Sequence, residues 1–543
     1  AVAVRGSRII KVGTDAEVLR LKGGSTKVID LQGKLVLPGF NDAHTHFENA
    51  TGWFFEARLV DVNDEAEFLK RLAEATRRIP KGMWITGGDW GAFAAYEAQR
   101  KGNRNFQSFQ PSLQAVDRLT PDHPVFFRRH DGAYFINSKG LQLARIGKHT
   151  PNPPGGEYRK DPRTGELTGM FLGTAGERQE KALPPPSRAR TLIAARSILA
   201  ELNSYGITSI HDIARVEEIS QTKIFHTHLE RSHSDLSIFT DLRSRGELTV
   251  RVYPILTMRV WQDLVAKGFK PGGGDDLIRF GALKAFIDGF YMSEPYTNNP
   301  DFSGGFTFRV VDEQTMEDDI AGADAAGFDP AIHVIGDKAH FLLLNWYEAA
   351  IKRNPPRDRR FRLIHAWYPA LREIERAGKI HALADITPFH LIRELDSVEK
   401  KLGPERSKTA HAWRTMLKHG IRVSIVSDWP GSFDKSDLSP INPLENIYLA
   451  MTRQDFNGNP KGGWHPEEAL SVEEAIQAYT INPAFASHEE KIKGSITEGK
   501  LADLVVLSQD ILKIEPRALL TTKVVYTIFG GKIIYGGAAN ARQ

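Results

Sequence analysis

A chain of 543 residues with 41% hydrophobic and 25% charged residues can bury a large core, and no apolar run approaches the ~18 residues of a membrane span. Lys and Arg number 71 against 67 Asp and Glu, a net charge of +4 that argues against a nucleic-acid partner. The absence of Cys excludes disulfides, thiolate metal sites and cysteine nucleophiles, so any metal must be held by His, carboxylate or modified Lys. It leaves the compartment open, cytoplasmic or exported. The chain opens on Ala1-Val-Ala-Val with no visible signal peptide, which suggests that upstream residues were removed or not included.

Residues 1–37 alternate short β-type runs with turns, as in Arg8-Ile-Ile-Lys-Val12, and residues 488–543 have the same texture in Leu504-Val-Val-Leu507 and Val524 to Phe529. Both termini are therefore expected to build one composite β-sandwich. Between them, residues 38–487 read as a (β/α)8 barrel of the α/β class. Strands are expected at 35–42, Ile207–His211, Thr249–Leu256, then ending near Lys284, His333 and His365, at Ala382–Thr387, and ending at Asp428. Helical periodicity separates them, for example over Asp312–Ala326 and Ala370–Ala377. Residues 50–195 break the alternation and form an insertion rich in aromatics, with Trp90 among them, which is expected to shape a partly apolar pocket over the barrel mouth. The basic run Lys352, Arg353, Arg357, Arg359, Arg360 and Arg362 is expected to be a solvated face.

The stretch Leu35-Val-Leu-Pro-Gly-Phe-Asn-Asp-Ala-His-Thr-His46 sets His44 and His46 two residues apart, where a strand turns both to one face. With 18 His in the chain, about 0.6 such pairs are expected by chance, so the pair gains meaning only from its company. Later apolar runs end in Lys284, His333, His365 and Asp428, and parallel barrel strands bring their C-terminal ends to one mouth. Imidazoles and carboxylates suit zinc or a similar divalent ion; an ammonium does not.

The order His-x-His, Lys, His, His, Asp on strands one, four, five, six and eight resembles the amidohydrolase superfamily. The chain is most similar to its family 3 branch, which includes N-substituted formamide deformylases. Leu37–His46, Gly206-Ile-Thr-Ser-Ile-His-Asp212, His333-Val-Ile-Gly-Asp-Lys-Ala339, Ser427-Asp-Trp-Pro430 and Gly494–Leu504 carry the resemblance. It implies two divalent metals, zinc or alternatively Mn2+, Fe2+ or Co2+, bridged by N6-carboxylysine at Lys284. His44, His46 and Asp428 would hold the more buried metal, His333 and His365 the more exposed one. A metal-activated hydroxide would cleave a non-peptide C–N bond, amide or N-formyl, of a small molecule, with His365 and Asp428 as catalytic groups. By analogy with the family, a homodimer is expected.

Two departures stand out. Asp288-Gly-Phe-Tyr-Met-Ser-Glu294 replaces the usual Asp-Gly-Ala-Leu-Gly-Ser-Arg, and Arg129-His-Asp-Gly-Ala133 lacks the usual final His. Phe290, Tyr291, Trp90 and His390 are the expected substrate contacts of this diverged pocket. Ester or lactone hydrolysis, and a non-catalytic ligand-binding or regulatory protein, are the alternatives.

Overall fold

The computed structural model describes residues 1–92, 108–129, 131–184, 187–213, 229–289, 292, 312–395, 397–431 and 440–536, with the side chains of 229–235 left aside. The chain divides into two compact units, one of residues 1–48, 196–430 and 439–543, the other of 49–195 and 431–438.

In the first unit eight parallel strands lie side by side in chain order: β1 Phe40–Thr45, β2 Ile207–Ile213, β3 Arg251–Thr257, β4 Ala282–Phe286, β5 Asp329–Val334, β6 Arg362–His365, β7 Leu383–Ile386 and β8 Arg422–Ile425. The sheet curls back on itself. Thr45 bridges in parallel to Trp429, the His46 amide donates to Trp429 O at 2.7 Å and the Asp428 amide to His44 O at 3.0 Å. β1, β2 and β3 are buried at every position, as expected of strands covered on both faces. Ile213, Tyr253, Ile255, Ala282, Ala331 and Ile364 form one core cluster among them.

The intervening helices follow the sequence reading. Asp312 caps Glu313–Ala325 by accepting from the Thr315 amide at 2.9 Å. Asp337–Arg353 buries Ala339, His340, Leu343, Leu344, Trp346, Tyr347 and Ala350, a stripe at three- and four-residue spacing.

The expected first strand is in fact two. Val36–Pro38 pairs antiparallel with Leu504–Leu507, and only after Gly39 does the chain enter the barrel as β1. A Cβ at Gly39 would lie 2.2 Å from Thr208 Oγ1, so the crossing between sheets admits no side chain there. Val36–Pro38 completes a four-stranded antiparallel sheet with Leu504–Leu507, Val524–Phe529 and Lys532–Tyr535, while Val2–Arg5 and Arg8–Val12 form a separate hairpin. Ile9 of the hairpin packs with Ala502 and Leu504, so the two termini share a core. Arg251 on β3 ties this core to the barrel, its guanidinium donating to both oxygens of Asp503 at 2.5 and 2.9 Å.

The basic run is a correction to the sequence reading. Lys352 and Arg353 face solvent, but Arg357 and Arg359 both reach Asp324 at 2.8 Å, and Arg357 also reaches Asp329 at 2.8 Å. Arg362 is fully buried inside the barrel: it donates to Asp385 of β7 at 2.8 Å and to Ala43 O of β1 at 2.8 Å, and lies 3.3 Å from His211 Nδ1 of β2. A run that reads as solvent-facing charge is mostly absorbed by acidic partners distant in sequence, because buried guanidiniums need such partners.

The second unit carries a six-stranded sheet in the order Glu56–Arg58, Thr86–Gly88, Phe126–Arg128, Ala133–Ile136, Leu167–Gly173 and Gly156–Lys160. Helix Glu65–Arg78 buries Phe68 and Leu72 in a core with Phe55, Phe127 and Phe135. Trp90, expected at the substrate, lies fully buried in this core, edge-on to Phe68, its indole N–H donated to Phe109 O at 2.8 Å. Among the described residues no helix is long and apolar enough to cross a membrane.

Candidate metal centre

His44 is the last but one residue of β1 and His46 follows the strand, Lys284 stands in the middle of β4, His333 is the last but one residue of β5, and His365 ends β6. Asp428 lies three residues beyond β8, and His390 sits in the helix Pro388–Glu394 after β7. Apart from Lys284, all lie in the C-terminal part of a parallel strand or in the segment that follows one, where loops can vary without disturbing the ladder.

The side chains converge. Asp428 Oδ1 lies 3.1 Å from His44 Nε2 and 2.9 Å from His46 Nε2, and its Oδ2 is 3.6 Å from His390 Nε2. The His365 ring centroid is 5.2 Å from that of His44, 4.7 Å from that of His333 and 5.4 Å from that of His390. Ligand-type atoms of His44, His365 and Asp428 all fall within 4.8 Å of one another. Lys284 is buried, with Nζ 4.5 Å from the centre of the Phe286 ring, and Phe286 in turn lies 5.2 Å from the His333 ring. Thus His44, His46, His333, His365, His390 and Asp428 form one continuous group. Phe290 and Tyr291 lie outside the described residues.

Backbone conformation is specialised here. His365 has φ +72° and Asp428 φ +55°, left-handed values that cost a non-glycine residue roughly 1–3 kcal/mol and persist only where the surroundings impose them. Thr387 on the β7 side fixes the His365 ring through a 3.1 Å contact between Oγ1 and Nδ1. Nothing in the sequence marks Thr387, since it follows an ordinary apolar strand.

Electrostatics set the protonation states. Burial lowers His44 from the ordinary 6.5 to about 3 and His390 to about 4, and holds His333 and His365 well below their usual value. Burial works to raise Asp428, but His44, His46 and His365 outweigh it and hold the carboxyl well below its usual range. Burial also lowers Lys284 from 10.5 to about 7, with Asp428 opposing the shift and Arg362 adding to it. The centre therefore offers the neutral imidazoles of His44, His333, His365 and His390 beside the Asp428 anion.

That donor set is the one divalent ions such as zinc take. In and beside this group three buried nitrogens, His44 Nδ1, His390 Nδ1 and Lys284 Nζ, have no hydrogen-bond partner among the described residues. A buried polar atom without a partner is costly unless a ligand supplies one. The residues fit a divalent cation.

The same depressed histidines fix an acid dependence. Unfolded histidines bind protons below about pH 6.5, whereas the buried ones resist until far lower, so the unfolded state holds more protons in that window. Their contribution to stability is present above 6.5 and is lost as pH falls. The thermal midpoint of metal-stripped protein should drop steadily from pH 7 to pH 5, and a flat midpoint across that window would contradict the assignment.

An eight-stranded parallel barrel with buried imidazoles and a carboxylate at its C-terminal mouth defines a β/α-barrel metalloenzyme. Residues 27–535 match the Amidohydrolase family, and the chain belongs to it. It is a metal-dependent amidohydrolase. Similar proteins include the N-substituted formamide deformylase of Arthrobacter pascens, 30% identical over 98% of this chain and 94% of that protein. The putative amidohydrolase YtcJ of Bacillus subtilis is 30% identical over 97% of this chain and 94% of its own length. Protein LONG AFTER FAR-RED 3 of Arabidopsis thaliana is 30% identical over 98% of this chain and 88% of its own. An uncharacterized metal-dependent hydrolase from Pyrococcus furiosus shares the fold, with a TM-score of 0.63 at 23% identity, covering 94% of this chain and 95% of that one.

Proposed function

We propose that the protein hydrolyses an amide or N-formyl bond of a small molecule at this centre. The observation that carries the reading is the grouping of His44, His365 and Asp428 ligand atoms within 4.8 Å. It gains weight from whole-length similarity to a formamide deformylase.

His44, His46 and Asp428 would hold the more buried of two metals, zinc by first preference, and His333 with His365 the more exposed one. Lys284, as a carbamate formed from its neutral amine and carbon dioxide with loss of a proton, would bridge them. Burial supports this role, since only the neutral amine reacts and Lys284 is lowered to about 7. A divalent ion bound there polarises a carbonyl and lowers the pKa of water. Asp428 takes the proton of the attacking water and returns it to the leaving nitrogen. His390, 3.6 Å from Asp428, stands where it can donate a hydrogen bond to substrate. Phe290 and Tyr291 are assigned the apolar contacts by their place after β4. The terminal sheet and hairpin are read as the two leaves of one small sandwich.

A side-by-side panel of N-formyl amines, N-acyl amines and lactones, each graded by apolar size, tests the reading. Faster turnover of amides or formamides, rising with apolar size, is expected. Lactones turned over faster than every amide would replace this reading with a lactonase, and indifference to size would remove the apolar pocket.

A further inference from the structure

We propose that Asp42, Asp212 and Asp288 are positioning residues, three buried aspartates that each clamp the backbone beside a metal-holding side chain of a neighbouring strand. The proposal rests on the metal-centre reading above. All three are buried, with exposures of 0%, 3% and 2%, and none is a member of the group around Asp428.

The need for such clamps follows from where the strands end. β1, β5 and β8 stop at Thr45, Val334 and Ile425, yet the chain must still deliver His46, the turn after His333, and Asp428. Beyond the strand ends the His46 and Asp428 amides still find Trp429 O and His44 O, but the amides beside them do not, and a buried N–H without an acceptor is costly. At each of these points an aspartate takes them. Asp42 Oδ1 accepts from the Ser427 amide at 3.1 Å, one residue before Asp428, and from the His44 amide at 3.2 Å. Asp212 Oδ1 accepts from the Phe47 amide at 2.7 Å, one residue after His46, and from Thr45 Oγ1 at 3.4 Å. Asp288 accepts from the Ile335 amide at 3.0 Å on Oδ1 and from the Gly336 amide at 2.7 Å on Oδ2, just past His333.

The geometry separates the three. Asp42 takes both of its backbone bonds on Oδ1, with the Ser427 side chain as a further partner, and Asp212 takes the Phe47 and Thr45 bonds on Oδ1, so asparagine in their stead keeps the acceptor. Asp288 uses both oxygens, so Asp288→Asn must turn an amide group toward one backbone N–H and lose that bond. Loss of such outer partners weakens metal binding by about 10–100-fold.

The experiment measures metal affinity of the full chain by chelator competition, with zinc as probe, for the Asn and Ala variants at all three positions. Alongside it, hydrogen exchange is followed at the Phe47, Ile335 and Gly336 amides. Asp42→Asn and Asp212→Asn should keep wild-type affinity, whereas Asp288→Asn and the folded alanine variants should bind zinc about tenfold more weakly or worse. Exchange at Ile335 and Gly336 should accelerate in Asp288→Asn, and at Phe47 in Asp212→Ala. Equal affinity across all variants, or equal weakening in the three Asn variants, overturns the clamps. The Asn variants are near-isosteric, so their comparison stands even where alanine prevents folding. Wild type that binds no zinc overturns the metal reading instead; slow exchange at the three amides, released by substitution, then shows the clamps without it.

Discussion

Asp428→Asn should lower kcat by at least about 10²–10⁴-fold while substrate still binds, because the side chain is assigned both proton transfers, from the attacking water and then to the leaving nitrogen. Asparagine has nearly the same volume and keeps one oxygen for His44 and His46, which lie 3.1 and 2.9 Å from Oδ1 in the native protein. It cannot carry a proton between water and the leaving nitrogen. A loss confined to kcat, with KM little changed, marks a group that acts in the transition state. Metal content of the same sample separates this loss from loss of a ligand. Turnover within a few-fold of wild type, with metal retained, would remove Asp428 from the proton path.

Lys284→Ala should have an effect of comparable size by a different route. A fully exposed lysine could not fill the assigned role, since its ammonium neither reacts with carbon dioxide nor coordinates. Here the amine is buried, unpartnered among the described residues, and lowered to about 7. The Phe286 ring is the neighbour that its Nζ approaches, at 4.5 Å from the ring centre. Under the proposed assignment, alanine would remove the carbamate oxygens and would leave His333 and His365 to hold the more exposed metal without a counter-charge. Binding of that metal, and turnover with it, should be lost.

Much of this centre is legible in the sequence because a parallel barrel converts order along the chain into proximity. Apolar runs that each end in His, Lys or Asp can be read as strands, and eight strands in chain order bring those ends together. His390 belongs to the same group although it stands on a helix, and its residue type alone flags it. What cannot be read is whatever depends on partners distant in sequence. Gly39 reads as an ordinary turn residue, yet it marks the crossing from one sheet to another because Thr208 leaves no room for a Cβ. Arg362 reads as one member of a basic run, but it lies buried inside the barrel, where Asp385 of the next strand neutralises it. The three aspartate clamps are visible as residues and invisible as clamps, since their partners are backbone amides whose need arises only where a neighbouring strand ends.

Metal content per chain is the measurement that bears most directly on the central assignment. It is made on protein purified without chelator and with bicarbonate present, for wild type and for Lys284→Ala. Two metals in wild type, with loss in the variant, is the result expected of a lysine-bridged pair held by His44, His46, His333, His365 and Asp428. One metal in both would remove Lys284 from the centre, and none in either would contradict the metal centre itself.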